Sequence, residues 1–223
     1  LALVGQAGAG KTLLAESLVL QAGAIRTRGS LERGTTVCDF DPLEKGALHS
    51  FDAAIVNFEV DGCHVTLIDT PGSADFIGRS LPMLEAVETA AIVINAATGI
   101  EPMTQRMIEF ARDRELCRLV IINKIDARDA HAERVLADVQ ETFGRECLPL
   151  NLPTERGRGV VDCFFEPGKA QPDFGSVAGA HTEIIDQVVE VDEKLMALYL
   201  EQGEELSPQQ LHEPFEQALR EGH

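Results

Sequence analysis

The chain has 223 residues, of which 44% are hydrophobic and 25% charged, and its formal net charge at pH 7 is -18. That length suits one sizeable domain with a smaller one attached, and the composition is ordinary for a globular protein. The negative charge argues against free DNA as a partner, because phosphate backbones attract Lys and Arg. No apolar stretch approaches the roughly 20 residues of a membrane span, so we expect no membrane partner either. The five cysteines lack C-x-x-C spacing, which indicates reduced thiols in a cytoplasmic protein.

The first predicted element is a short apolar strand, residues 1–4, which runs into a glycine-rich loop and then a helical pattern. The loop has the P-loop signature G-x-x-x-x-G-K-T and consists of Gly5, Gln6, Ala7, Gly8, Ala9, Gly10, Lys11 and Thr12. We expect its backbone N–H groups and the start of the following helix to bind nucleotide phosphates. Lys11 is expected to reach the terminal phosphates and stabilise charge in catalysis, and Thr12 to place its hydroxyl on Mg²⁺.

A long polar segment, residues 26–50, follows the first helix without clear periodicity. Loops of that length inside a compact domain are usually functional or mobile. Residues 54–60 then alternate in polarity, turn at Asp61-Gly62 and lead into the apolar residues 65–68. Two such runs joined by Asp-Gly predict a β-hairpin, which supplies one antiparallel edge strand to the sheet.

Two strand–helix pairs come after the hairpin, residues 91–94 with 102–115 and residues 119–122 with 129–143. Their strands are apolar on both faces, which is typical of a parallel sheet covered by helices on both sides. The prediction is therefore a doubly wound, mostly parallel α/β core over residues 1–147.

The pattern changes after that core to short strands, turns and helical stretches. We predict a smaller α+β subdomain over residues 148–223, with helices over residues 182–200 and 208–220. Residues 151–223 carry 15 acidic and 5 basic side chains. That balance suits either a basic protein partner or a solvated acidic surface.

Two further motifs stand at the carboxyl ends of predicted strands, where open parallel sheets bind ligands. The first is Asp69, Thr70, Pro71 and Gly72. Its carboxylate is expected to hold Mg²⁺, usually through water, and its glycine N–H to meet the γ-phosphate. The second is Asn123, Lys124, Ile125 and Asp126.

The second motif indicates which base the nucleotide carries. Asp126 can accept hydrogen bonds from the N1–H and the 2-amino group of guanine, and adenine has neither donor. The aliphatic stem of Lys124 can lie on the base, and Asn123 can tie this loop to the P-loop. The motif therefore favours GTP and disfavours an ATP-using P-loop kinase or ATPase.

With these motifs in order, the chain resembles the GTP-binding domain of bacterial elongation factor G, a translational GTPase. The likeness extends to residues 34–42, 69–76 and 160–162 and covers nearly the whole chain, with its weakest part between residues 153 and 179. It implies a P-loop GTPase fold, GTP/GDP and Mg²⁺ as ligands, and a cytoplasmic monomer. It also implies the ribosome as partner, an inserted subdomain that touches the stalk proteins, and a chain that stops before the last strand of its sheet.

Two positions depart from the family's usual pattern. The family has His directly after Asp-Thr-Pro-Gly, where it positions the attacking water, and this chain has Ser73. In the first switch, Ser50 stands where the family has the threonine that binds Mg²⁺ and senses the γ-phosphate. His49, beside it, is a candidate to replace the missing catalytic imidazole, although a loop histidine is more often an exposed bystander.

These residues leave two hypotheses for the reaction. One is a GTPase that hydrolyses GTP to GDP and phosphate on the ribosome, with Mg²⁺-dependent rearrangement of switch segments around residues 33–50 and 72–79. The alternative is a GTP-binding paralogue with weak or no hydrolysis, because Ser73 cannot do all that an imidazole does.

Overall fold

The computed structural model describes residues 1–190, 193–202 and 208–221. The chain forms two compact units, residues 1–123 and 124–223. No helix within the described ranges is long and apolar enough to cross a membrane. The second unit begins at residue 124 and includes the helix that follows residue 130. The domain boundary that we expect after residue 147 stays a prediction.

The first unit is built on a five-stranded sheet. Its strands are β1 (Ala2–Val4), β2 (Ala54–Val60), β3 (Cys63–Asp69), β4 (Thr89–Asn95) and β5 (Cys117–Asn123). Their spatial order is β2-β3-β1-β4-β5. The pairs β1–β3, β1–β4 and β4–β5 are parallel, whereas β2 pairs antiparallel with β3 at the edge. The predicted mostly parallel sheet with one antiparallel edge strand is therefore confirmed.

Helices cover this sheet and explain its apolar strands. The first unit contains α1 (Lys11–Gln21), α2 (Pro42–Ala47), a 3₁₀ turn (Ala74–Phe76), α3 (Ile77–Leu84) and α4 (Pro102–Asp113). Helix α1 packs on β1 and β3, and α4 packs on β4 and β5. Ala91 and Val93 share a core cluster with the buried face of α1. The intervening Ile92 points to the opposite face and is 0% exposed, so β4 is buried on both sides.

Helix α2 interrupts the segment for which the sequence showed no periodicity. Asp41 precedes it and accepts a hydrogen bond from the Leu43 N–H at 2.7 Å, and Pro42 occupies its first position. Both are ordinary signals of a helix start. Six residues are too few to reveal a 3.6-residue period, which is why the pattern of residues 26–50 did not predict this helix.

The second unit combines a small antiparallel sheet with helices. Its elements are α5 (Ala132–Phe143), β6 (Asn151–Thr154), β7 (Gly159–Asp162), α6 (Val177–Glu190), α7 (Glu193–Gln202) and α8 (Pro208–Glu221). Strands β6 and β7 pair antiparallel. Leu152 and Val161 from this hairpin pack with Ile185 of α6 in one apolar cluster. The single helix that we predicted over residues 182–200 is described as the two helices α6 and α7, and residues 191–192 lie outside the described residues.

Candidate nucleotide-binding site

The P-loop joins β1 to α1, and its backbone requires glycine. Gly5 has a φ of +131°, and a Cβ atom there would collide with the carbonyl oxygen of Val93 in β4. Gly8 and Gly10 also have positive φ angles, of 73° and 95°. Gly10 is the residue that caps α1, so the loop turns directly into the positive end of that helix. This conformation lets backbone N–H groups converge on an anion.

The Lys11 side chain lies over the P-loop itself. It is 6% exposed, and its Nζ donates hydrogen bonds to the carbonyl oxygens of Gly5 and Gln6, both at 3.0 Å. Burial lowers the pKa of Lys11 to about 8, and the nearby carboxylate of Asp69 opposes that shift. A phosphate group next to Nζ would favour the charged form of Lys11. The buried position of Lys11 at the P-loop therefore suits phosphate binding.

Gln6 has a different position from its loop neighbours, because its side chain points into the protein. Its Nε2 donates to the Gly99 carbonyl oxygen at 2.8 Å and to the Thr98 hydroxyl at 3.1 Å. Its Oε1 accepts a hydrogen bond from the hydroxyl of Thr104 in α4, and the same hydroxyl accepts from the Gln6 N–H at 3.3 Å. Gln6 therefore ties the P-loop to the β4–α4 connection through its side chain.

Three side chains from separate segments meet beside the start of α1. The Thr12 hydroxyl donates to Asp69 Oδ2 at 2.6 Å, and it lies 3.4 Å from the hydroxyl of Ser50. The hydroxyl of Ser50 in turn donates to Asp39 Oδ1 at 2.7 Å. The structure thus brings together the three residues that the sequence suggested for Mg²⁺, and it adds Asp39.

The chemistry of this cluster suits a divalent cation. Within the described ranges, Asp69 Oδ1 is a buried side-chain oxygen without a hydrogen-bond partner. Burial raises the pKa of Asp69 to about 6, although the Thr12 hydrogen bond and the charge of Lys11 act in the opposite direction. A cation beside Oδ1 would satisfy that oxygen and favour the ionised carboxylate. Hydroxyl and carboxylate oxygens are also the ligands that Mg²⁺ prefers.

The residues after Asp69 lie directly against the P-loop. The Thr70 hydroxyl donates to the Leu3 carbonyl oxygen at 2.7 Å, and the Pro71 carbonyl oxygen accepts from the Ser80 hydroxyl at 2.8 Å. A Cβ atom at Gly72 would collide with Lys11 Nζ and would lie 2.7 Å from the backbone nitrogen of Ala7. Gly72 is therefore held where only a glycine fits against the P-loop.

The two candidate catalytic side chains make local contacts. The Ser73 Oγ accepts a hydrogen bond from the Asp75 N–H at 3.4 Å and so caps the 3₁₀ turn. His49 is exposed; its Nδ1 lies 2.9 Å from the Ala47 carbonyl oxygen, and its ring meets that of Phe51 edge-on at 4.9 Å. In the part of the chain that the structure describes, neither side chain hydrogen-bonds to Thr12 or Asp69.

The guanine motif begins at the end of β5. Asn123 Nδ2 donates to the Ala9 carbonyl oxygen at 2.8 Å, which is the link to the P-loop that we expected. Lys124, with a φ of 59°, opens the second unit with a turn that the Ala127 N–H closes at 3.1 Å. Asp126 is exposed. A Cβ atom at Gly157 would collide with the carbonyl oxygen of Ile125, so the turn after β6 supports this motif from within its own unit.

Two acidic residues of this region were missed by the sequence reasoning. Asp39 is 3% exposed and accepts hydrogen bonds from the hydroxyls of Ser50 and, at 3.2 Å, Thr36. Asp39 lies within residues 34–42, one of the segments on which the family resemblance rests. That resemblance was the available sign that Asp39 matters, although no ligand was assigned to the segment. Glu16 lies in α1 and is 0% exposed, as is the adjacent Ala15. A charged residue on the inward face of a helix was the available signal for it.

The strand order, the P-loop and the side chains at the strand ends define a P-loop nucleotide-binding fold of the GTPase type. The elongation factor Tu GTP binding domain family matches residues 1–212. The chain belongs to this family of translational GTPases, and it is a GTP-binding domain of the elongation factor G-like kind.

Individual relatives agree with that membership. An elongation factor G-like protein from Mycobacterium tuberculosis (strain CDC 1551 / Oshkosh) is 34% identical over 99% of this chain and 32% of its own length. A peptide chain release factor 3 from Symbiobacterium thermophilum is 32% identical over 72% of this chain and 32% of its own length. A crystal structure from Thermus thermophilus matches with a TM-score of 0.86 at 33% identity, covering 99% of this chain and 35% of that one. The chain thus spans about a third of the length of these relatives.

Proposed function

We propose that this chain is the nucleotide-binding part of a cytoplasmic, elongation factor G-like GTPase that hydrolyses GTP to GDP and phosphate on the ribosome. The observation that carries the proposal is the meeting of Thr12, Ser50 and Asp69 beside Lys11. These residues come from the P-loop, from the first segment that would act as a switch, and from the end of β3, which leads into the second. In the same proposal the protein acts as a monomer, its acidic subdomain contacts the ribosomal stalk proteins, and neither free DNA nor a membrane is a partner.

The residues of the first unit have separate roles in this proposal. The P-loop N–H groups and Lys11 bind the phosphates, and Gly72 offers its N–H to the γ-phosphate. Thr12, Ser50 and Asp69 hold Mg²⁺, which supplies positive charge to the phosphate oxygens when it is bound. Because Ser50 lies in the first switch and Gly72 begins the second, loss of the γ-phosphate would release both segments.

The choice of base rests on the motif at residues 123–126. Asn123, the last residue of β5, donates a hydrogen bond to the Ala9 carbonyl oxygen of the P-loop. Asp126 accepts two hydrogen bonds from guanine, and the Lys124 stem covers the ring. An Asp126→Asn variant replaces one acceptor oxygen with a donor, so we expect its affinity for GTP to fall by about a hundredfold.

The nucleotide site is tested by equilibrium binding of GTP, GDP and ATP to the purified protein. We expect preference for guanine nucleotides and a loss of about a hundredfold in affinity in Lys11→Ala, because charge-assisted hydrogen bonds to phosphate are removed. Lys169→Ala, a change at an exposed lysine of the second unit, is the matched control. Normal GTP binding and turnover by Lys11→Ala, or equal affinity for ATP, would contradict the proposal.

The alternative, a GTP-binding paralogue with weak or no hydrolysis, is favoured by the position of Ser73. Its hydroxyl caps a 3₁₀ turn, and a hydroxyl lacks the proton-accepting nitrogen of an imidazole. Single-turnover release of phosphate from GTP, with and without ribosomes, separates the two. Our proposal expects ribosome stimulation in the native protein and directs attention to His49 as the substitute. Absence of stimulation in the native protein, with recovery in Ser73→His, would establish the paralogue instead.

A further inference from the structure

Glu16 is a buried carboxylate to which the proposed function gives no role. It lies in α1, four residues after Thr12, and it is 0% exposed. Its Oε2 accepts a hydrogen bond from the Gly29 N–H at 2.7 Å, and its Oε1 accepts one from the Val37 N–H. Within the described ranges no Lys or Arg forms an ion pair with Glu16. Two backbone donors therefore satisfy this carboxylate.

The two donors stand at the two ends of one small closed loop, residues 29–37, which we call the anchored loop. The Thr35 N–H donates to the Ser30 carbonyl oxygen at 3.1 Å, and the Gly34 N–H donates to the Leu31 carbonyl oxygen at 2.9 Å. The Ser30 N–H also donates to the Thr35 hydroxyl at 3.0 Å. Because the loop is closed by its own hydrogen bonds, Glu16 holds it to α1 as one piece.

Gly29, on the loop side of this contact, leaves room for the Glu16 carboxylate because it has no side chain. A Cβ atom at Gly29 would lie 2.5 Å from the Thr35 carbonyl oxygen and 2.8 Å from Glu16 Oε2. Such approaches are closer than van der Waals contact permits, so any side chain at residue 29 would distort the loop and displace the Glu16 carboxylate. Gly29 on the loop and Glu16 on α1 thus form one close junction.

The junction lies next to the segment that supplies the magnesium-binding hydroxyl. Val37 is followed by Cys38 and Asp39, both buried, and the Asp39 carboxylate accepts the Ser50 hydroxyl. Two residues of extended chain span at most about 7 Å, so anchoring Val37 restricts where Asp39 can lie. Asp39 in turn orients Ser50 beside Thr12.

We propose that Glu16 is a positioning residue for the first switch. It fixes the anchored loop to α1 and so sets the starting point of residues 38–50, which places Ser50 for magnesium-dependent binding of GTP. This inference rests on the proposed function.

The test compares Glu16→Ala, Glu16→Gln and Gly29→Ala in the full chain. The probes are a non-hydrolysable GTP analogue with Mg²⁺ and GDP with EDTA. We expect Glu16→Ala and Gly29→Ala to weaken analogue binding about tenfold while GDP binding without Mg²⁺ changes less than about twofold. Glu16→Gln keeps the shape and one acceptor oxygen, and we expect an intermediate loss of about threefold. Hydrogen exchange at the amides of residues 29 and 37 should accelerate in the same order.

Val19→Ala, which removes a buried side chain from the same helix, is the control for lost stability. A shift of the analogue-to-GDP affinity ratio in Val19→Ala equal to that in Glu16→Ala would overturn the proposal. So would faster exchange at residues 29 and 37 in Glu16→Ala with the ratio unchanged. If the native protein binds neither probe, the proposed function itself fails. Native binding with unaffected variants would refute only the role of Glu16.

Discussion

The inward side chain of Gln6 offers a sharp test of how the P-loop is supported. The Gln6→Met substitution keeps the length and approximate volume of the side chain while removing its amide. It abolishes the side-chain bonds to Thr98, Gly99 and Thr104, which join the loop to the β4–α4 connection. The bond from the Gln6 N–H to the Thr104 hydroxyl is kept. The backbone of the P-loop and its glycines are left unchanged.

The expected cost follows from what each partner can do afterwards. Thr98 is exposed, so its hydroxyl turns to water at little cost. Gly99 and Thr104 are buried, and the Gly99 carbonyl and the Thr104 O–H are each left without the Gln6 amide. A buried polar group without a partner costs about 1–3 kcal/mol, so we expect the free energy of unfolding to fall by about 3 kcal/mol.

Urea denaturation at equilibrium measures this loss as a shift of the midpoint at constant slope. Gln105→Met, the same substitution on the exposed face of α4, is the matched control and should change stability by less than about 0.5 kcal/mol. The double variant Gln6→Met, Thr104→Val should recover about 1–2 kcal/mol relative to the sum of the single variants, because the unpaired O–H is gone. Equal effects of Gln6→Met and Gln105→Met, or strict additivity in the double variant, would refute the reasoning.

Three further results are expected from contacts of the site. Asn123→Ala should speed GDP release about tenfold in stopped-flow measurements, because the bond to Ala9 is lost; an unchanged rate would contradict that link. Ser73→Ala should cost less than about 1 kcal/mol on thermal unfolding, since its cap bond is long at 3.4 Å, and a larger loss would be evidence of another contact. A double-mutant cycle on the exposed pair Arg79–Asp52 should yield a coupling energy under about 1 kcal/mol. A larger coupling would mean that this pair firmly holds the second switch to the segment that follows the first.

The sequence predicted those parts of the fold whose signals are local. The apolar run of β4 reflects burial on both faces, and the Asp-Gly turn marked the β2–β3 hairpin. The P-loop was recognisable because its glycines are needed for backbone geometry, whatever the rest of the chain does. Asn123 was also placed correctly against the P-loop, because a strand end and a motif together define its position.

The sequence did not predict contacts that depend on where distant segments pack. The P-loop pattern includes Gln6 as a nucleotide-binding position, but it does not reveal that the side-chain amide of Gln6 bonds to partners more than 90 residues away. The sequence pattern also does not reveal that Asp39 and Glu16 are buried beside hydroxyl and N–H donors. Periodicity and short motifs do not predict contacts between residues that are far apart in the sequence.

The position of β1 in the sheet has a consequence for synthesis of the protein. This strand lies between β3 and β4, with Ala2 paired to Ile68 on one side and to Ala90 on the other. During translation the P-loop therefore emerges long before either neighbour of its strand exists. A nascent chain arrested before β4 has formed should not retain GDP, and nucleotide capture should report when the middle of the sheet closes.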